Sequence, residues 1–159
     1  MNAISAQHSP CPKDIRVLVF TSGGMKLAVD TDQIVKLTGI EEAEGRGWDL
    51  FTVQDRLAPH SGAPTNPNAK VLMGGDERLP IAVLIDRLDE ILSIPIDDLQ
   101  PMPRLIALSG AARAVWSAVV RDGEIVLLVD LYKLPAGPNQ AGTEPPAKNG
   151  FTANPKEGT

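Results

Sequence analysis

The side chains that could perform chemistry in this sequence are its two histidines, its single cysteine and its carboxylates. His8 and Cys11 are close enough in the chain to share a metal ion, but a zinc site needs about four such ligands. His60 lies in the proline-rich stretch APHSGAPTNPNA, residues 58–69, where no rigid element would hold it as a general base. We therefore expect no catalytic residue and no metal ligand among these three side chains.

Carboxylates and glycines are numerous, yet their spacing favours turns over a reaction site. Asp32 and Asp86 each follow a strand-like apolar pair and are expected to accept hydrogen bonds from nearby backbone N–H groups. The glycine pairs at 23–24 and 74–75 lack the spacing, and the following Lys-Ser or Lys-Thr, of a loop that cradles phosphate. No cofactor is expected. A small-barrel hydrolase stays a weaker alternative, since its paired carboxylates would have to converge in a cleft.

Composition excludes several classes of protein. The chain has 159 residues, 43% of them hydrophobic, which suits one domain with one core. Fifteen Lys and Arg against twenty Asp and Glu, without a basic cluster, disfavour nucleic acid. The apolar runs at 81–85 and 125–129 are too short for direct membrane insertion, which takes about 20 residues. The unpaired cysteine and the absence of a signal-like start predict a cytoplasmic protein.

The elements of the chain are predicted to be short strands separated by turn residues. The predicted strands are residues 17–20, 27–29, 50–53, 71–73, 79–85, 114–120 and 125–129. Asp122-Gly123 is the strongest hairpin signal, because both central positions of the tightest turn need positive φ. Helical turns are expected only around 54–57 and 131–134, while residues 87–92 fit either a helix or a strand. This pattern predicts an all-β fold of small barrels or a sandwich.

A weak internal repeat favours two packed barrels. Ala28, Val29, Asp32, Ile34 and Leu37 recur with identical spacing as Ala82, Val83, Asp86, Leu88 and Ile91. In both copies a strand runs into an aspartate and then into further aliphatic residues. This is the pattern expected where a strand bends and continues into a second sheet.

The ordered domain is predicted to span residues 15–134. Residues 1–14 and the Pro- and Gly-rich residues 135–159 have too few apolar side chains to offset the entropy of ordering, so both ends are predicted to be disordered. The breaker-rich residues 58–69 are predicted to form a surface loop between two subdomains.

Four segments, taken in order, resemble the CheW-like domain, the coupling module of bacterial chemotaxis. Residues 16–37, RVLVFTSGGMKLAVDTDQIVKL, are similar to the opening strands of that family and its V-x-E-I step. Arg46-Gly47 followed by WDLFTVQDRL resembles its Arg-Gly pair, strand and helical turn. Residues 79–103, LPIAVLIDRLDEILSIPIDDLQPMP, and 117–134, SAVVRDGEIVLLVDLYKL, resemble its L-V-D run and its closing hairpin.

The resemblance implies a fold of two packed five-stranded β-barrels and a non-catalytic adapter. Such an adapter would couple the regulatory domain of a CheA-type histidine kinase to the cytoplasmic tip of a chemoreceptor. The groove between the barrels would receive the helical receptor tip. By the same resemblance, the partner-binding residues are Ile34, Lys36, Leu37, Arg46, Gly47 and Val83.

The sequence departs from the family in two places. Only residues 38–45 separate the V-x-E-I step from Arg-Gly, so a strand or loop of the first barrel is expected to be missing. Lys36 replaces the glutamate of V-x-E-I, which would bring two cations together if Lys36 and Arg46 kept their places. This leaves the receptor contact open, and with it the alternative of a stand-alone small β-barrel that binds an unrelated partner.

Overall fold

A computed structural model of the chain describes residues 11–57, 66–76, 78–102 and 113–135. Strands dominate these residues, which confirms the predicted all-β class. In chain order the strands are β1 (Asp14–Ser22), β2 (Met25–Asp30), β3 (Ile34–Gly39), β4 (Leu50–Phe51), β5 (Lys70–Gly75), β6 (Pro80–Ile85), β7 (Arg87–Pro95), β8 (Gln100–Pro101), β9 (Val115–Arg121) and β10 (Glu124–Val129). The ambiguous segment 87–92 is therefore a strand.

The helices are short, as predicted. Within the described ranges they are α1 (Ile40–Gly45), α2 (Val53–Leu57) and the 3-10 turns Thr31–Gln33, Ile96–Asp98 and Leu131–Lys133. The helical turns expected around 54–57 and 131–134 are confirmed, whereas α1 was not predicted. None of the described helices has the length and apolarity that crossing a bilayer requires.

The strands form two sheets, between which the chain crosses twice. Sheet A has six strands in the order β7-β1-β2-β10-β9-β8, and sheet B has four in the order β3-β5-β6-β4. The chain leaves sheet A through Thr31–Gln33 and returns to it at Asp86. These are the two points at which the internal repeat predicted that a strand passes from one sheet to the other.

Asp86 fixes the second crossing by bonding to the β1–β2 hairpin. Its carboxylate accepts from the Gly23 N–H at 2.8 Å, and its own N–H donates to the Thr21 carbonyl at 2.9 Å. The prediction that Asp86 accepts from nearby backbone N–H groups is therefore wrong, because Gly23 and Thr21 are far away in the sequence. At the first crossing the Asp30 carboxylate accepts a hydrogen bond from the Asp32 N–H at 2.9 Å. Asp30, and not Asp32, therefore caps the 3-10 turn Thr31–Gln33.

The buried side chains form three groups, of which only the first contains residues of both sheets. The largest joins sheet A to sheet B and includes Phe20, Leu72 and Val83, all with no exposed surface. A second lies on the opposite face of sheet A, because successive residues of β1 point to alternate sides. A third packs Ala43 of α1 against β5 and β6.

The ten strands divide six and four between the two hydrogen-bonded sheets. Sheet B has four strands, and α1 occupies the short connection in which a strand or loop was expected to be missing. The sheets also do not correspond to the two halves of the sequence. The stretch 58–69, of which 58–65 lie outside the described residues, joins α2 to β5, and the strands on both of its sides belong to sheet B. The two termini were predicted to be disordered, and most of their residues, 1–10 and 136–159, also lie outside the described residues. Asp14, which was assigned to the N-terminal segment, belongs to β1.

Candidate partner-binding face

An apolar strip lies along β3, one of the two edge strands of sheet B. Leu37 pairs with Leu72, so its side chain lies on the face turned towards sheet A, yet 36% of its surface is exposed. Ile34 is half-buried against the same inter-sheet cluster. A bulge between Ile34 and Lys36 leaves Val35 68% exposed. The edge of the inter-sheet core is therefore open to solvent along β3.

Lys36 and Arg46 converge on one carboxylate from α1. The Lys36 ammonium contacts Glu42 Oε1 at 2.5 Å, and Arg46 Nη2 approaches the same oxygen at 3.5 Å. The Thr38 hydroxyl donates to the other Glu42 oxygen. The two cations therefore do lie near each other, as the sequence predicted. Glu42 lies between them and offsets the expected repulsion.

Gly47 ends α1 and thereby positions Arg46. Its φ of +70° is a conformation that favours glycine. The Gly47 N–H donates to the Glu44 carbonyl at 2.9 Å and the Trp48 N–H donates to the Ala43 carbonyl at 3.3 Å, the two bonds of a Schellman motif. The Arg46 guanidinium lies 5.1 Å from the centre of the Trp48 ring, while 57% of its side chain stays exposed.

Five of the six predicted site residues lie at the surface, with Ile34 half-buried, and one is buried in the core. Ile34, Lys36, Leu37, Arg46 and Gly47 lie together on β3 and at the end of α1. We call this the β3–α1 face. Val83 pairs with Leu72 in the middle of sheet B and has no exposed surface, so it packs in the core.

Sequence reasoning missed two residues that organise this face, Glu42 and Trp48. The signal for Glu42 was present, because an acid four residues before Arg46 is the spacing of a helical ion pair. The spacing is informative only if these residues are known to form a helix, and the six residues of α1, which are of mixed character, do not predict one.

We expect the contribution of Glu42 to stability to depend on pH. The hydrogen bonds from Lys36 and then from Thr38 hold the pKa of Glu42 below its ordinary value. A lowered folded-state pKa adds stability above the ordinary value, and this is lost as the pH falls through the folded-state pKa. Glu42→Gln should therefore lower the melting temperature at neutral pH, with the difference shrinking below about pH 4.

Thermal unfolding of the wild type and of Glu42→Gln, from neutral pH to below about pH 4, measures this difference in melting temperature. Glu44→Gln is the matched control, since Glu44 lies on the same helix and forms no side-chain ion pair with the described residues. A difference between the wild type and Glu42→Gln that stays constant with pH would contradict the expectation.

Comparison with known proteins agrees with this architecture. The family model of the CheW-like domain matches residues 16–137. The fold is similar to that of the scaffolding protein TtCheW from Thermoanaerobacter tengcongensis, with a TM-score of 0.57 and 13% sequence identity over 78% of this chain and 89% of that one. No curated protein sequence matches the chain. The family match covers most of the sequence, and the chain therefore belongs to the CheW-like domain family, a family of chemotaxis scaffold and adapter domains.

Proposed function

We propose that this protein is a cytoplasmic, non-catalytic adapter that couples the regulatory domain of a CheA-type histidine kinase to the cytoplasmic tip of a chemoreceptor. The β3–α1 face is the receptor-binding surface. The observation that carries the proposal is the exposure of apolar Val35 and Leu37 beside an ordered rim of charges on a chain of this family.

The two apolar side chains provide the contact area. Leu37 extends the inter-sheet core to the open edge of sheet B, and Val35 projects from the bulge next to it. An amphipathic helix binds such an edge by placing its apolar face against aliphatic anchors. The receptor tip is a helical partner and therefore presents a helix surface of this kind.

The charged rim sets orientation. Glu42 neutralises one of the two cations around it, so Lys36, Glu42 and Arg46 together carry one net positive charge. Arg46 is the more exposed of the two cations and is held by Trp48. An acidic side chain of the partner is therefore expected opposite Arg46, because complementary charges at an interface fix the register and exclude wrong partners.

Calorimetric titration of the full chain tests the proposal. Kinase regulatory domains and receptor tip fragments encoded by the same genome are titrated separately, and binding at a Kd of about 10 μM or tighter is expected for each cognate pair. The absence of binding to every kinase domain and every receptor fragment would contradict the adapter function.

Leu37→Ser is expected to weaken the receptor fragment about fivefold, because it removes an apolar anchor that is only partly buried before binding. Binding of the kinase domain should be unchanged. Ile125→Ser is the matched control, since Ile125 is a 63% exposed aliphatic residue on β10 of sheet A. Equal loss in both variants would place the receptor contact elsewhere.

A further inference from the structure

A cleft of about 600 Å³ opens between sheet B and the 3-10 turn that follows β10. Ile81 and Leu131 provide an apolar lining, and Tyr132, 60% exposed, lies at its mouth. Trp48 and Phe51 add two aromatic rings to the lining. A volume of this size, lined by apolar and charged side chains together, suits a small organic molecule with a charged group.

The one deeply buried cation of the described residues lines this cleft. Arg56, on α2, has a side chain that is only 6% exposed. Its guanidinium carbon lies 4.1 Å from the centre of the Phe51 ring. Its Nη2 donates to Asp49 Oδ2 at 2.9 Å. The ring and the carboxylate therefore hold the guanidinium in a fixed position.

The guanidinium keeps a free hydrogen-bond donor. Arg56 Nε is buried and has no hydrogen-bond partner. The Nε–H and one Nη2–H of an arginine point in the same direction and together accommodate both oxygens of a carboxylate. Asp49 accepts from Nη2 and not from Nε. A buried donor without a partner is unfavourable, so a second oxygen at this position would stabilise the protein.

The other charged groups of the lining leave Arg56 accessible to an anion. The Asp76 carboxylate accepts from the Arg78 and Leu79 N–H groups at 2.8 and 2.9 Å, which keeps it in its own turn. Arg78 is exposed and adds a second positive charge at the cleft. Asp49 is 41% exposed, so its carboxylate can turn to water when another carboxylate takes its place.

We propose that this cleft binds a small organic carboxylate with an apolar body. The carboxylate lies on the Nε and Nη2 edge of Arg56 in place of Asp49, and the apolar body lies against Ile81 and the aromatic rings. This site adjoins the β3–α1 face, since Gly47 and Trp48 also line the cleft, but its binding group is Arg56 and its test uses neither the kinase nor the receptor. Its failure would leave the adapter function untouched.

The test is a titration of the full, ¹⁵N-labelled chain with phenylacetate, followed by NMR. The indole N–H of Trp48 and the arginine Nε–H resonances are observed, and Trp116, which does not line the cleft, is an internal control. We expect saturable shifts at Trp48 and at one arginine, with a Kd on the order of 1 mM. Phenylacetamide, of the same shape without the charge, should bind at least tenfold more weakly. Equal binding of the amide, or no saturable shift, would overturn the proposal.

Two variants identify the cation. Asp49→Asn removes the competing carboxylate and should tighten phenylacetate binding about threefold or more, a gain that a purely structural ion pair would not produce. Arg56→Met should weaken binding at least tenfold, while Arg16→Met, a change at an exposed arginine of β1, should leave it unchanged. If Arg56→Met does not fold, the phenylacetate affinity of Asp49→Asn and the shift of the arginine Nε–H resonance test the role of Arg56 instead. Unchanged affinity in Asp49→Asn would overturn the displacement of Asp49.

Discussion

Arg46→Glu is expected to weaken binding of the chemoreceptor tip by about thirtyfold or more, the effect typical of an arginine that dominates an interface. Arg46 is the more exposed of the two cations of the β3–α1 face, and the Trp48 ring positions it. Reversing its charge would replace an attraction to the acidic side chain that we propose on the partner with a repulsion. Titration of the receptor fragment with the wild type and the variant measures the change.

The same substitution should leave folding nearly unaffected. The Arg46 side chain is 57% exposed, and a like-charge pair with Glu42 on a helix surface costs only about 0.5 kcal/mol or less. Arg121→Glu, the same change at an exposed residue of sheet A, is the matched control and should bind the receptor normally. A large fall in the melting temperature of Arg46→Glu would place Arg46 in a structural role, and unchanged binding would exclude it from the interface.

Phe20→Ala should lower the free energy of unfolding by about 3–5 kcal/mol. Phe20 lies on β1 with no exposed surface, in the cluster that joins the two sheets. Truncating it removes buried apolar surface and leaves a cavity between the sheets. Since a domain is stable by about 5–15 kcal/mol, the variant would lose a large share of the total. Urea denaturation of the wild type and the variant gives the difference.

Val120→Ala is the matched control for this core substitution. Val120 lies on β9 of the same sheet with 63% of its surface exposed, so its truncation should change stability by no more than about 0.5 kcal/mol. Equal effects in the two variants would mean that the inter-sheet cluster does not hold the fold together.

Most of the strands were predictable because local signals specify them. Asp122 and Gly123 adopt φ of +51° and +78°, the conformation that a two-residue hairpin requires, so this dipeptide alone locates β9 and β10. The repeat at Asp32 and Asp86 likewise marked both crossings between the sheets. The hairpin signal depends on adjacent residues, whereas the bonds that fix the second crossing join Asp86 to the distant Thr21 and Gly23.

The remaining features depend on contacts that a sequence does not display. Val83 and Leu37 are both aliphatic residues on strands, yet one is buried and the other is on an edge, because strand order decides exposure. Arg56 gave no signal either, since its burial follows from Phe51 and Asp49 meeting it in space. The α1 helix is too short for its periodicity to be recognised.

The interleaving of the sheets also constrains how the polypeptide matures during translation. β1 and β2 emerge from the ribosome first, but the strands that flank them in sheet A, β7 and β10, are synthesised after all of sheet B. An isolated two-stranded hairpin is only marginally stable in water. The nascent β1–β2 hairpin therefore exposes its apolar side chains until β7 and β10 have been synthesised. A molecular chaperone would be of most use during this interval.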